Sequence, residues 1–418
     1  MAETFTAAAL EPSALRATRL TALRRTLKRA HLTDRIGRYI ISFAGVLVLL
    51  GVGTIFVFLI DQSWPLIAHP ASHSSATLSK MSLPQQYEGY PKAIYVWQTE
   101  ATDGGQEKFG VPLLIWGTLK AAFWAMLFSV PLALLAALYV AEFSSPRART
   151  IIKSSIEILA GIPTVIIGFV AFVTLSTLLN NYYVTHTDYF KNGLWIIFGF
   201  QILVFAVVCS AIFAKAALSK NRIISKLGPL SALVSGTIAA FISGWLLEKI
   251  FGLSLRPIFG VSEYTQLNAI LTGFCLSFAI TPIIFSVAED ALKAVPTSYR
   301  EASLALGANR WETAFHTVLP AAIPGVYAAV ILGLARAVGE TMIVLMASGN
   351  TPIFDFSPFT GMRTMSATIA IEASEKAQFS TGYHVLFFVG CLLFLMTFVL
   401  NLVTEHAVHR LKQRYKVV

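Results

Sequence analysis

The sequence predicts an all-α, polytopic membrane protein with about eight transmembrane helices. The first observation is composition: 56% of the 418 residues are hydrophobic and 13% are charged, whereas soluble proteins carry about 25% charged residues. The second is that the apolar residues come in blocks, and a helix of about 20 such residues crosses the roughly 30 Å bilayer core. The alternating segments of a transmembrane β-barrel, each of about 10 residues, do not fit this pattern.

Eight apolar blocks define the predicted spans. Gly228 and Pro229 interrupt the long apolar region that contains the fourth and fifth blocks. The spans are 39–60, 112–141, 156–179, 194–218, 229–247, 267–288, 321–347 and 385–403.

The distribution of Lys and Arg predicts the orientation. With the N-terminus inside, the inner segments carry 22 of the 32 basic residues and the outer segments carry 8, while Lys120 and Arg336 lie inside spans. Basic residues favour the cytoplasmic side, so both termini are predicted to be cytoplasmic in a multi-pass protein of the cell (inner) membrane. The net charge of +10 then reflects topology signals beside the lipid bilayer rather than a nucleic-acid surface. The inner segments are 1–38, 142–153, 215–226, 289–319 and 405–418.

Residues 1–38 do not resemble a secretory signal peptide, because the apolar stretch at 39–60 is long and no small-residue cleavage site follows it. The basic segment fits either a short amphipathic helix on the inner leaflet or a disordered tail. The segment 61–111 is the main outer loop, with a small folded cap as its expected structure, and 406–418 forms a cytoplasmic tail. No histidine or cysteine spacing predicts a metal site or a cofactor, and no phosphate-binding loop is found.

The segment 289–320 predicts a helical elbow at the inner membrane face. Ser298 and Glu301 have the spacing of a capping box, which predicts a helix up to about Leu306. Gly307 then permits a left-handed turn, and a second helix follows at 310–318. Pro320 stands where the next span begins, a position that tolerates proline. From this pattern alone, the elbow is either an ordinary interfacial hairpin or a docking element.

The residues of this elbow resemble the EAA loop of ABC importer permeases. The family pattern is Glu-Ala-Ala, three residues, Gly, nine residues, then Ile-x-Leu-Pro, and this chain departs from it at Ser303 and Thr317. The resemblance implies the type I (MetI-like) permease fold and a coupling loop that docks on separate ATP-binding subunits. The residues that carry it are Glu301, Ala302, Ser303, Gly307, Leu319 and Pro320.

Further stretches are similar to phosphate permeases of the PstC type. The resemblance covers roughly 109–181 and 265–405, and it omits 182–264, which reads as an inserted helix pair. It implies three kinds of partner: a second permease subunit (PstA type), two ATP-binding subunits (PstB type) and an external phosphate-binding protein (PstS type). The permease would perform no covalent chemistry itself. The matching stretches are 157–164, 333–342, 349–352 and 363–370.

Arg336 is the main candidate for the substrate path. It follows Pro320 by sixteen residues, about 24 Å along a helix, so its charge needs a protein or water environment. Arginine is suited to bidentate phosphate binding, and Glu340, expected one helical turn further on, would orient it. The alternative is an ion pair that only orients helices. The resemblance to the PstC type implies that Thr341 also belongs to the substrate path. Lys120, in the second span, is expected to extend towards the outer interface.

Pro163 predicts a hinge or gate in the third span, together with Glu157 and Thr164 from the same motif, because proline removes a backbone hydrogen bond. Proline in a membrane helix without any gating role is the alternative. Gly161, Gly168, Gly333 and Gly339 are expected to serve close helix packing.

Two other functions remain open at this point. One is an ABC permease for another oxyanion or a phosphonate. The other is a secondary transporter or channel that acts alone, which would predict inverted repeats, and none is evident in the sequence.

Overall fold

The structure is a computed structural model that describes residues 13–69, 75–87, 91–99, 107–185 and 263–415, with scattered positions between 187 and 249. In this described part, six helical stretches are long and apolar enough to cross a bilayer. The predicted all-α polytopic fold is therefore confirmed. The blocks predicted at 194–218 and 229–247 fall where only scattered helical positions are described.

The chain divides into two units, Met1–Trp64 and Pro65–Val418. The described part of the first unit is one helix, α1 (Ser13–Ser63), which contains the predicted first span. From Ser13 onwards its basic segment is helical without interruption, so the helix predicted there is present but is continuous with the span rather than separate. Arg, Leu and Ala dominate this segment, and all three favour helix over coil.

The second unit contains the remaining elements. Its helices are α2 (Pro65–Ala68), α3 (Leu78–Ser82), α4 (Val111–Leu138), α5 (Pro146–Ala160), α6 (Thr164–Val170), α7 (Ser176–Thr185), α8 (Ala269–Lys293), α9 (Thr297–Ala305), α10 (Arg310–Glu312), α11 (Leu319–Gly339), α12 (Met342–Ala347), α13 (Met365–Glu372) and α14 (Thr381–Tyr415). Short π-helical turns at Tyr139–Phe143, Ala171–Leu175 and Thr313–Val318 follow α4, join α6 to α7 and join α10 to α11. The strands β1 (Trp97–Gln98) and β2 (Lys108–Phe109) pair antiparallel.

Helix α8 is central in the second unit and packs against α4 and α11. Leu276, Ile280 and Ile284 are completely buried and follow one another at one-turn intervals. Gly273 allows a close approach, because a Cβ there would lie 2.4 Å from the Cβ of Trp124 on α4. Lipid tails are as apolar as this core, so van der Waals packing between close helices holds it together.

Segments that are far apart in sequence meet at the two ends of this unit. One end carries α5 and α9, and we call it the elbow end. The opposite end, the cap end, carries α2, α3 and the β1–β2 hairpin. There, Trp97 and Phe109 are buried together with Val385 of α14, and the indole N–H of Trp97 donates to Glu372 at 2.9 Å. The loop 348–364 also lies at the cap end.

Two predicted spans are broken rather than continuous. The block 156–179 is interrupted at 161–163, where α5 ends and Pro163 precedes α6 with extended backbone. The block 321–347 is interrupted after Gly339, because Glu340 has extended backbone with φ −70° and ψ 132°. Both breaks fall on residues that the sequence predicts to be functional.

Candidate functional site

The elbow folds around Gly307. The residue has a φ of +93°, as predicted, and its N–H donates to the carbonyl of Leu304 at 3.0 Å. The N–H of Ala308 donates to the carbonyl of Ser303 at 3.2 Å. These two bonds form a Schellman motif, which ends α9 and reverses the chain.

The predicted capping box was placed wrongly. Helix α9 begins directly after Pro296, and no side chain caps it, so Ser298 and Glu301 lie inside the helix. The capping box forms instead at Asn309 and Glu312. These residues begin the part of the elbow that follows Gly307, which we call its second limb.

The second limb also runs further than predicted. It does not end at 318 but continues through a π turn into α11. That turn ends at Val318, two residues before Pro320, which has no N–H to donate in a regular α-helix.

Ser303 and Thr317, the two departures from the EAA pattern, lie against each other. The Thr317 hydroxyl donates to Ser303 Oγ at 3.3 Å, and Ser303 also bonds the hydroxyl of Thr313 at 3.0 Å. The polar substitution in one limb is thus satisfied by hydroxyls in the other. The sequence showed both departures but not that they meet.

The outer surface of the elbow carries exposed apolar side chains beside polar ones. Leu306 is 90% exposed and Tyr299 is 51% exposed, while Glu301 and Ala302 also face outwards. A Cβ on Gly307 would meet no atom within 4 Å. The elbow is therefore open to another surface.

Arg300 fixes the elbow to the helical bundle. Its guanidinium forms a bidentate contact with Glu142, with Nη2–Oε1 at 2.7 Å and Nε–Oε2 at 3.2 Å. It also donates to the carbonyl of Leu292 at 2.8 Å. The contact with Glu142 could not be read from the sequence, because 158 residues separate the ionic partners.

The second group of predicted residues lies at the two helix breaks, residues 157–164 and 336–341, which we together call the broken face. The two helix breaks are brought together because α12 packs against α6. Gly168 permits this contact: a Cβ there would lie 3.0 Å from Met346 Sδ and 3.2 Å from the Met342 carbonyl oxygen. The structure therefore packs the helix that follows the predicted hinge against the helix that follows the predicted substrate path.

Arg336 is exposed on this face, in the last turn of α11. Its charge is compatible with the helix C-terminus, where cations are favoured. Glu157 and Pro163 are exposed as well, and Thr164 and Glu340 are half-buried. An exposed arginine on an apolar helix is costly against lipid. The broken face is therefore suited to a water-filled path or another protein subunit.

The predicted pairing of Arg336 with Glu340 is wrong in its geometry. Because α11 ends at Gly339, Glu340 does not continue the helix face of Arg336. The Glu340 carboxylate instead accepts from the Met342 N–H at 3.2 Å, and its carbonyl accepts from the Ser366 hydroxyl at 2.8 Å. No ion pair among the described residues joins Arg336 to Glu340.

The prediction for the glycines holds for two of the four. Gly168 lies at the close contact with α12, and Gly333 lies against Ile284. Gly161 and Gly339 meet no other helix and stand at the two breaks.

Lys120 does not extend to the interface as predicted. It is 5% exposed, and its ammonium contacts Asp355 at 2.5 Å and Thr360 at 3.0 Å. The Trp116 indole donates to the Asp355 carbonyl at 2.8 Å. These contacts hold the loop 348–364 against α4. Asp355 was missed because loop residues give no periodic signal.

The fold defines a multi-pass membrane protein. Its elbow and its broken face both carry exposed residues that could contact other subunits. Residues 129–417 match the family model described as "Binding-protein-dependent transport system inner membrane component". The chain belongs to this family, so it is a permease subunit of an ABC transporter with the MetI-like fold, whose ATPase is a separate subunit.

Individual relatives support the resemblance to the PstC type. The chain is 28% identical to the "Phosphate transport system permease protein PstC" of Xylella fastidiosa over 74% of this chain and 76% of the relative. It is 25% identical to the protein of the same name from Mesorhizobium japonicum, over 93% and 94% of the two chains.

A third relative has a more general name. The "Probable ABC transporter permease protein YqgH" of Bacillus subtilis is 26% identical over 73% of this chain and 74% of that protein. Among solved structures, the inward-facing MetNI methionine ABC transporter matches with 15% identity and a TM-score of 0.37. That match covers 72% of this chain and 94% of the other.

Proposed function

We propose that this chain is the PstC-type permease of an ATP-driven phosphate importer. It works with a second permease of the PstA type, two ATP-binding subunits of the PstB type and an external binding protein of the PstS type. It hydrolyses no ATP itself. It lies in the cell inner membrane with both termini and the elbow in the cytoplasm.

The observation that carries the substrate assignment is Arg336. Its guanidinium is exposed on the broken face and has no ion pair among the described residues. A guanidinium without a competing carboxylate is available for the two parallel hydrogen bonds that phosphate accepts. The named PstC relatives support phosphate over other oxyanions.

The elbow carries the second part of the proposal. The elbow presents the exposed apolar side chains Leu306, Tyr299 and Leu304 together with Glu301, Ala302 and Gly307 of the EAA pattern. Ser303 is half-buried, and Leu319 and Pro320 begin α11. This exposed surface docks on an ATP-binding subunit. Movement of the elbow then opens and closes the broken face at the hinge formed by Glu157, Pro163 and Thr164, beside Arg336, Glu340 and Thr341. Alternating access of this kind needs a bistable bundle.

Uptake of radiolabelled phosphate by the reconstituted complex tests the substrate assignment. Arg336→Gln should abolish uptake without reducing the amount of assembled complex, and Arg336→Lys should restore it only in part. Glu340→Gln should impair uptake less, because Glu340 does not hold the arginine. Arg147→Gln, an exposed arginine away from the broken face, is the matched control.

Two results would contradict this assignment. Normal uptake by Arg336→Gln would remove the arginine from the substrate path. Uptake that unlabelled sulfate or a phosphonate suppresses more effectively than unlabelled phosphate would assign the transporter to that other anion.

A further inference from the structure

Glu289 is a completely buried carboxylate near the end of α8, with 0% of its side chain exposed. Two lysines neutralise it. Lys293 lies one turn further along the same helix and forms an ion pair with Oε1. Lys153 comes from α5, with its Nζ 3.4 Å from Oε2. The two lysine side chains are 37% and 39% exposed, so only the carboxylate is removed from solvent.

The two lysines are not equivalent. Lys293 belongs to the same helix as Glu289, so it stays beside the carboxylate whatever α5 does. Lys153 makes the longer contact and lies on a different element. Breaking a buried ion pair is costly mainly because it leaves a charge without a partner. Glu289 keeps Lys293 when Lys153 leaves, so the Lys153 contact is able to form and break at low cost.

Helix α5 is attached to the bundle along one narrow face. None of its residues is buried. Arg149 donates to the carbonyls of Val140 and Ala141, each at 3.2 Å, and Ile152 and Ile156 pack on the core. Lys153 lies on the same face, since residues three and four apart are neighbours on a helix. At its far end α5 stops at the hinge.

The partner of Lys153 belongs to the same body as the elbow. Glu289 lies in the last two turns of α8, and the elbow helix α9 follows directly after Pro296. Arg300 of α9 bonds the carbonyls of Leu292 and Val295. Through these bonds the end of α8 and the elbow are linked, so a displacement of the elbow reaches Glu289.

We propose that the Lys153–Glu289 contact is a releasable clasp through which the elbow sets the position of α5 and thereby the hinge at 161–163. Lys153 is a positioning residue: it touches no substrate and acts through α5. This inference rests on the proposed function, because a driven elbow requires docked ATP-binding subunits. It makes this ion pair one point of control over the broken face, beside the Arg300–Glu142 contact.

The test compares Lys153→Met with Lys153→Arg in the reconstituted complex, using phosphate and the external binding protein. Phosphate imported per ATP hydrolysed should fall about fivefold or more in Lys153→Met, the lower end of usual coupling between sites. In the Lys153→Met complex, ATP hydrolysis should continue when the external binding protein is omitted. Lys153→Arg should keep the wild-type ratio. Arg147→Met, on the same helix but exposed, is the matched control. An unchanged ratio in Lys153→Met overturns the clasp.

A second measurement does not depend on the substrate. Spin labels are placed at Ser154→Cys on α5 and Ser298→Cys on α9, both exposed, with the native cysteines replaced, in the assembled complex. Their distance distribution should be narrow with Lys153 and broad with Lys153→Met. Equal distributions overturn the inference. If the wild-type complex imports no phosphate while the distance still depends on Lys153, the clasp stands and the phosphate assignment fails.

Discussion

At the scale of single residues, Lys120 and Asp355 show how a charge is kept inside an apolar helix. Lys120 is surrounded by protein on α4, and the Asp355 carboxylate, 27% exposed, reaches it from the loop 348–364. Thr360 bonds both partners, donating to Asp355 at 2.6 Å. A buried cation with a hydrogen-bonded carboxylate is tolerated, whereas either charge alone is not.

Asp355→Asn should therefore destabilise the folded protein by about 3 kcal/mol, the lower end for a broken buried pair, because Asp355 retains some solvent contact. The measurement is thermal unfolding in detergent. The double variant Lys120→Met/Asp355→Asn should recover most of the loss, since no charge is then left without a partner. Asp290→Asn, which is exposed, serves as the control. A double variant no more stable than the single one would contradict this account.

At the scale of elements, the elbow depends on the left-handed backbone at Gly307. No neighbour restricts the size of a side chain there, so the positive φ alone decides what is tolerated. Asparagine adopts this conformation more readily than other residues with a Cβ, and β-branched residues resist it.

Gly307→Val should consequently reduce substrate-stimulated ATPase activity of the assembled complex strongly, whereas Gly307→Asn should retain most of it. The strain in the valine variant is about 1–2 kcal/mol, enough to shift the elbow but too little to unfold the bundle. The assay is ATP hydrolysis with and without the loaded binding protein. Wild-type stimulation in Gly307→Val would mean that this elbow is not the coupling element.

Tyr183 and Tyr264 join the two ends of the predicted insertion. Their rings stack with centroids 3.8 Å apart at 4°, so the chain leaves the described bundle after α7 and returns to it at nearly the same point. Burial raises the pKa of the Tyr264 phenol to about 12, with Tyr183 as a further cause. Because the pKa is raised, the stack contributes stability that is complete below pH ~10 and is lost as pH rises through about 12.

Replacing 187–261 by a short Gly/Ser linker should therefore leave the bundle assembled, with Tyr264 still titrating near pH ~12 by tyrosinate absorbance. The Tyr264→Phe variant identifies this titration among the other tyrosines. If Tyr264 titrates near its ordinary pKa in the variant that lacks 187–261, the prediction is wrong, and the insertion is required to hold the Tyr183–Tyr264 ring stack.

At the scale of the whole molecule, periodicity and spacing predicted much of the fold and part of the site. Apolar blocks located the spans that are described, and Gly307 and Pro163 marked an elbow and a break, because backbone chemistry is local. Glu340 was misplaced because a helix end at an apolar stretch has no strong local signal. Asp355, and the meeting of Glu289 with Lys153, depend on tertiary contacts between distant segments, which one sequence does not reveal.

The arrangement of the ends supports the predicted topology. Segments predicted to be inner meet one another, as Arg300 and Glu142 do. Segments predicted to be outer also meet, as the Lys376 ammonium reaches the Thr99 carbonyl. The grouping of inner segments at one end and outer segments at the other is independent of the basic residues, on which the predicted orientation rests.

We expect the elbow end of the molecule to face the cytoplasm. Basic residues near spans stay on the cytoplasmic side during insertion, and the elbow end carries Arg147, Lys153 and Lys293. In a background without native cysteines, Ser298→Cys at the elbow should react with a membrane-impermeant maleimide only after the membrane is opened. Ser374→Cys, exposed at the cap end, should react in intact spheroplasts. The reverse pattern would orient the elbow outwards, where no ATP-binding subunit could reach it, and would contradict the importer proposal as well. Labelling of both positions from outside would contradict the assignment of the two ends to opposite sides of the membrane.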